Sequence, residues 1–145
     1  MSYHKPIPEI HDETRPFWLG CREHELRLQK CRDCGQFRFY PRSLCPYCFS
    51  DKSEWVRASG RGRIYSFTVS YRPATEAFLE DLPYNIAIIE LEEGVRMVSN
   101  VVGCENEDLK IGLPVEVVFE DVAPDLTLPR FKLVQVGTSS CFREK

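Results

Sequence analysis

Apolar positions recur along this chain in two different rhythms. Between residues 14 and 24, Phe17, Trp18 and Cys21 fall on one face of a helical repeat, with Thr14 placed as N-cap, Pro16 in the first turn and Gly20 as a weak point; a short helix is predicted over 14–24. At Leu26 the period drops to two. Leu26 and Leu28 alternate with Arg27 and Gln29, which predicts a strand leading to Cys31. From about residue 53 alternation dominates, predicting strands at 63–72, 84–92, 95–102, 114–122 and 131–136, and five strands in about eighty residues suit a small barrel. Gly60-Arg61-Gly62, Glu93-Gly94 and Gly112-Leu113-Pro114 punctuate them. The two longest breaks, 73–83 and 123–129, are the loops expected to carry contacts.

Residues 31–50 follow neither rhythm. They hold two Cys-x-x-Cys knuckles, Cys31-Arg32-Asp33-Cys34 and Cys45-Pro46-Tyr47-Cys48, in a segment too small to build its own core. The span between the knuckles is long enough for a hairpin that brings four thiolates into a tetrahedral set. Zinc suits such a set, and iron fits the same knuckles. With all four positions filled by protein, no place is left for water or substrate, so the ion is read as a structural staple. A thioredoxin-like use of either pair requires a strand–helix context that is absent here. Cys21, Cys104 and Cys141 stand alone, Cys21 reading as a small buried hydrophobe, and His4, His11 and His24 read as surface residues.

Composition narrows the class. The 145 residues are 43% hydrophobic and 28% charged, which describes an ordinary globular chain and excludes disorder, collagen and coiled coil; the chain is also too short for a doubly wound enzyme with a substrate domain. The longest apolar runs, such as Ile86-Ala87-Ile88-Ile89, fall far short of the ~20 residues of a membrane span. The N-terminus has no secretory apolar region, and seven cysteines without an export signal point to a reducing cytoplasm. Charge is divided: residues 1–63 carry 12 Lys+Arg against 8 Asp+Glu, while residues 64–145 carry 7 against 14, giving +4 and −7. An acidic barrel half is a poor match for a nucleic-acid backbone. No nucleophile–base pair and no glycine-rich phosphate loop is visible.

The order of helix with Phe17-Trp18, Cys-x-x-Cys-Gly, Cys-x-x-Cys, Gly60-Arg61-Gly62-Arg63-Ile64-Tyr65, Pro83-Tyr84-Asn85-Ile86-Ala87-Ile88-Ile89 and Ile111-Gly112-Leu113-Pro114-Val115 resembles the DUF35 family over about residues 10–136. The resemblance implies a mainly β chain in which an N-terminal helical segment (1–25) and a rubredoxin-like zinc ribbon (26–52) precede a five-stranded OB-fold barrel (53–145). It implies one zinc ion per chain on Cys31, Cys34, Cys45 and Cys48. It also implies an accessory subunit in a hetero-oligomer with a thiolase-like or aldolase enzyme, aromatic acyl-CoA degradation being the first setting, and a CoA ester as possible ligand.

Under that resemblance, candidate acyl-CoA or partner contacts are Arg61, Arg63, Tyr71 and Arg72, where a few cations suffice for a CoA phosphate, together with Phe78 and Leu79, an apolar pair in an acidic loop. Phe37, Phe39 and Tyr40 offer either partner anchors or a cover for the metal site. The competing reading is a nucleic-acid-binding ribbon and OB-fold, with Phe67, Tyr71, Tyr84 and Phe119 as stacking candidates, although alternating aromatics in a small barrel also serve as core.

Overall fold

The computed structural model describes residues 5–134. Helix α1 (Arg15–Arg22) carries Pro16 in its first turn and buries Phe17, Trp18, Gly20 and Cys21. The Thr14 hydroxyl turns backward, accepting from the His11 N–H at 3.1 Å, and accepts no N–H of the helix's first turn. The chain then enters strand β1 (Arg27–Cys31), which pairs antiparallel with the short β2 (Phe37–Arg38) and, along its full length, with β3 (Ser53–Arg57). This three-stranded ribbon sheet, ordered β2-β1-β3, draws on residues either side of the expected 52/53 division. Directly after it, the Ala58 N–H donates to the Leu26 carbonyl at 2.7 Å.

The second sheet holds β4 (Arg61–Ser70), β5 (Tyr84–Leu91), β6 (Arg96–Ser99), β7 (Val101–Val102), β8 (Pro114–Ala123) and β9 (Leu126–Leu133), ordered β6-β5-β4-β8-β9-β7. Strand β7 continues β6 past Asn100 and pairs parallel with β9 at Val101↔Phe131 and Val102↔Lys132, so the sheet closes on itself at that end. The result is the five-stranded OB barrel the resemblance implied. At Gly62 the strands come so close that an added Cβ would sit 2.4 Å from the Glu90 carbonyl oxygen. A bulge between Ile64 and Ser66 turns Tyr65 outward.

The fifth strand starts earlier than the sequence suggests. β8 and β9 form a hairpin closing at Ala123↔Leu126, so the expected contact loop at 123–129 is mostly strand. Pro129 masks this, since proline cannot donate to a ladder. In the β8–β9 register, however, the Val134 N–H donates to the Pro114 carbonyl, which makes Phe119↔Pro129 a pair whose backbone groups face away from each other. The missing N–H therefore removes no bond to β8.

A single core joins all three parts. Phe17 from α1, Leu26 and Leu28 from the ribbon side, and Ile64, Ile89, Val115 and Phe131 from the barrel form one buried cluster. His24 locks the turn after α1 to the barrel: its Nε2 lies 3.1 Å from Asp121 Oδ1 and its ring stacks on Phe119, while the Thr127 hydroxyl donates to the same carboxylate oxygen at 2.6 Å.

Candidate metal centre and interdomain groove

The two knuckles repeat one backbone design. In each, a thiolate residue's carbonyl accepts from the N–H four residues on, Gly35 to Cys31 at 3.0 Å and Phe49 to Cys45 at 2.8 Å. The last residue of that turn is left-handed, Gly35 at φ +78° and Phe49 at φ +66°. Glycine takes this conformation freely, and Phe49 adopts it with its side chain exposed. Ser50 joins the turns by donating to Asp33 Oδ2 at 2.6 Å.

This brings the four predicted cysteines together. Cys31 Sγ lies 3.6 Å from Cys48 Sγ, Cys34 Sγ lies 3.6 Å from Cys45 Sγ, and all four sulfurs fall within 4.8 Å of one another. A tetrahedron with zinc–sulfur bonds of about 2.3 Å has edges of about 3.8 Å, so the spacing of the set suits the ion. The backbone N–H of Cys34 holds the Cys31 thiol down to about 6. Burial pushes Cys45 up, but the N–H groups of Tyr47 and Cys48 prevail and lower it. Cys34 and Cys48 go the other way: the N–H groups of Gln36 and Ser50 favour their thiolates, but burial and the neighbouring sulfurs outweigh them, raising Cys34 and taking Cys48 to about 12. Four thiols this close cannot all ionise without a cation, and a divalent ion would supply it. Cys21 lies apart, its thiol pushed by burial to about 12. Cys141 and His4 lie outside the described residues.

The candidate contacts do not converge. Arg61 and Arg63 sit on the outer face of β4 and are paired, Arg61 Nε with Glu92 at 3.2 Å and Arg63 Nη2 with Glu90 at 2.8 Å. Arg63 and then Arg96 hold the Glu90 carboxyl below its usual range. Arg96 also lies over the Tyr65 ring at 3.8 Å. Tyr71 and Arg72 are exposed beyond the far end of β4, about 26 Å along the strand from Arg63. Phe78 and Leu79 lie in a 3-10 turn (Glu76–Asp81). Phe78 packs on Tyr84 at 5.7 Å and Leu79 is exposed. Of the stacking candidates, Phe67 and Phe119 pack against the core and only Tyr71 is well exposed.

What sequence reasoning missed is a groove of about 680 Å³ between α1, the ribbon and the barrel. Phe17, Trp18, Phe39 and Tyr40 line one end, Phe78 and Tyr84 the other, with strand β6 and the start of β9 between them. Phe17 meets Trp18, Phe39 and Tyr40 at 5.0, 5.3 and 6.3 Å between ring centres. The buried Trp18 indole N–H has no acceptor among the described residues. A polar plug lies beside the groove: Asn85 bonds both the N–H and carbonyl of Val101, and Arg130 donates to Asn100, which donates to the Asn85 carbonyl. Only the aromatic residues of the ribbon and α1 carried a signal of this groove.

A zinc ribbon of four cysteines packed through a common core onto an OB barrel defines the class of this protein. Family models agree, matching residues 18–54 to the ChsH2 rubredoxin-like zinc ribbon domain and residues 55–120 to the ChsH2 C-terminal OB-fold domain. The chain belongs to the DUF35 family. A DUF35 domain-containing scaffold protein of Methanothermobacter thermautotrophicus is 41% identical over 102 residues, covering 70% of this chain and 76% of that protein. A probable enoyl-CoA hydratase alpha subunit of Thermomonospora curvata is 35% identical over 128 residues, 88% of this chain, and the chain spans only 40% of that longer relative. The benzoylsuccinyl-CoA thiolase subunit BbsA of Thauera aromatica is 32% identical over 94 residues, 60% of this chain and 63% of that one. Among solved structures, the Ltp2-ChsH2(DUF35) aldolase superposes with TM-score 0.80 at 35% identity, covering 88% of this chain and 98% of that one. No helix among the described residues is long and apolar enough to cross a membrane.

Proposed function

We propose that this chain is a non-catalytic subunit of an acyl-CoA enzyme complex in the cytoplasm, holding a thiolase-, hydratase- or aldolase-type partner in a hetero-oligomer, with aromatic acyl-CoA degradation as its setting. The observation that carries the reading is the pairing of a closed four-thiolate set, which offers no position to a substrate, with an open aromatic groove where ribbon meets barrel. A staple that fixes an apolar surface is what an assembly subunit requires. Relatives named as hydratase and thiolase subunits support the partner class.

Zinc, once bound, supplies cross-linking of the two knuckles and no acid–base chemistry. Cys31, Cys34, Cys45 and Cys48 hold it, and Phe17 transmits the ribbon's position to the barrel through Phe39 and Tyr40. If a CoA ester touches this chain, Arg72 is the first candidate for its phosphates, because Arg61 and Arg63 are already paired with carboxylates whereas no ion pair involves Arg72 among the described residues.

Co-purification of the tagged chain from its native host, read by mass spectrometry, tests the proposal. An acyl-CoA lyase, hydratase or thiolase at a fixed ratio is expected. Tight oligonucleotide binding that weakens steeply with salt, without such an enzyme, overturns it. Changing Phe78 and Leu79 together to Ser then asks whether the loop belongs to the contact: lost binding at an unchanged melting temperature places it there, and a large drop in melting temperature assigns the pair to the core.

A further inference from the structure

The barrel is incompletely closed, and the opening has a specific chemistry. Among the described residues, strand β6 has one strand neighbour, β5. The Leu91 N–H donates to the Val95 carbonyl at 2.9 Å, so Leu91/Val95 is a hydrogen-bonded pair, and the alternation carries on to Ile89↔Met97 and Ala87↔Ser99. The backbone N–H and C=O of Arg96 and Val98 therefore point away from β5. The strand across the opening is the start of β9, and there the residue whose N–H would face β6 is Pro129, which has none. Contact is made instead by the Ser99 hydroxyl, donating to the Pro129 carbonyl at 3.0 Å. Beyond Asn100 the strands do meet, the Phe131 N–H donating to Asn100 at 3.0 Å. Between Arg96 and Val98 an unpaired strand edge thus borders the aromatic groove.

This edge carries few of the usual protections. It has no proline, bulge or lysine, and its one charge, Arg96, is turned onto Tyr65 and Glu90. Val98 is 64% exposed. Among the described residues, the groove beside it has no free cation to offer a charged ligand, because its other arginine, Arg130, is held by Glu120 at 3.0 Å. An occupant that satisfies all of this has backbone donors and acceptors in extended form, large apolar side chains at alternate positions and no charge at its centre.

We propose that an extended segment of the partner enzyme adds to the free edge of β6 and lays its apolar side chains in the groove between Trp18, Tyr40, Ile86 and Leu128. This rests on the partner reading above and names the surface and the form of contact: main-chain bonds to Arg96 and Val98 hold the segment, and the aromatic groove selects its side chains. A second copy of this chain fits less well, since of its own four-residue β6 only Val98 is both apolar and exposed, leaving most of the groove unfilled.

The test uses the full chain, isotope-labelled, and a synthetic peptide of alternating threonine and large apolar residues flanked by lysines. Added peptide is expected to shift the amide resonances of Arg96 and Val98 and slow their hydrogen exchange. Val98→Pro, which deletes an outward N–H and no bond to β5, should weaken peptide and partner binding by about tenfold or more, whereas Val98→Thr should stay within about threefold. Should Val98→Pro misfold, amide protection in the wild-type complex decides. Edge protection by the peptide with no enzyme co-purifying sustains the edge and rejects the partner reading. A partner that binds while the Arg96 and Val98 amides stay unprotected overturns the edge proposal, as does protection that grows with the chain's own concentration.

Discussion

Phe17 is the residue on which the three parts of this protein meet, and its truncation tests whether they form one cooperative unit. The side chain is 1% exposed and contacts the rings of Trp18, Phe39 and Tyr40 at 5.0 to 6.3 Å between centres. Phe17→Ala removes a buried aromatic at about 3 to 5 kcal/mol, transfer and cavity together. Its edge-to-face geometry contributes about 0.5 to 1.5 kcal/mol per ring pair, part of which is already in that range. At roughly 3 to 4 °C per kcal/mol for a chain of this size, the melting temperature should fall by about 10 to 20 °C. Differential scanning calorimetry in zinc-containing buffer reads this directly, and a single transition is expected to persist because the ribbon shares its core with the barrel. Phe17→Leu keeps most of the apolar volume and should cost about 1.5 kcal/mol or less. A drop below about 4 °C for Phe17→Ala, or a split into two transitions, would refute the idea that α1 cements ribbon to barrel.

Further tests address the metal, the barrel and its charges. Elemental analysis of tag-free protein should give about one zinc per chain, and Cys45→Ser or a strong chelator should remove it and disorder the ribbon. Gly62→Ala places a Cβ 2.4 Å from the Glu90 carbonyl oxygen and should destabilise by about 1 to 3 kcal/mol in denaturant unfolding, since backbone and not a flexible side chain must yield. Arg63 lowers the Glu90 pKa, so this pair's stabilisation is present above the unfolded carboxylate value and is lost as pH falls through the folded one; Arg63→Gln should raise the Glu90 titration midpoint in carboxyl NMR and flatten stability on the acid side.

Local signals in the sequence carried the local parts of this structure. Both knuckles were legible from spacing, because two Cys-x-x-Cys turns leave few alternatives to one shared ion. Alternation also gave the first four barrel strands within a few residues. What escaped was pairing between distant segments. β3 reads as the barrel's beginning, yet its partner is β1, and nothing local in Ser53–Arg57 indicates which strand it will join. Pro129 reads as a break, and only the register shows that its missing N–H falls on the open side. The groove is invisible to any window, because Phe17 and Leu128 lie more than a hundred positions apart and each alone reads as core. Asn85 stands at the head of the apolar run Ile86–Ile89, and its role in the polar plug appears only when Val101 and Asn106 are beside it.

The latch of His24 on Asp121, Phe119 and Thr127 bears on how such chains can be recombined. A zinc ribbon looks like a cassette to be exchanged between relatives at the break before the barrel. Here, however, the residue that orients the ribbon's entry binds the hairpin at the barrel's far end, so a graft cut near residue 58 would separate the key from its lock. A chimera made by swapping ribbons should dock properly only when positions 24, 119, 121 and 127 travel together. The smallest unit that moves intact between relatives of different length is the ribbon and barrel as one piece.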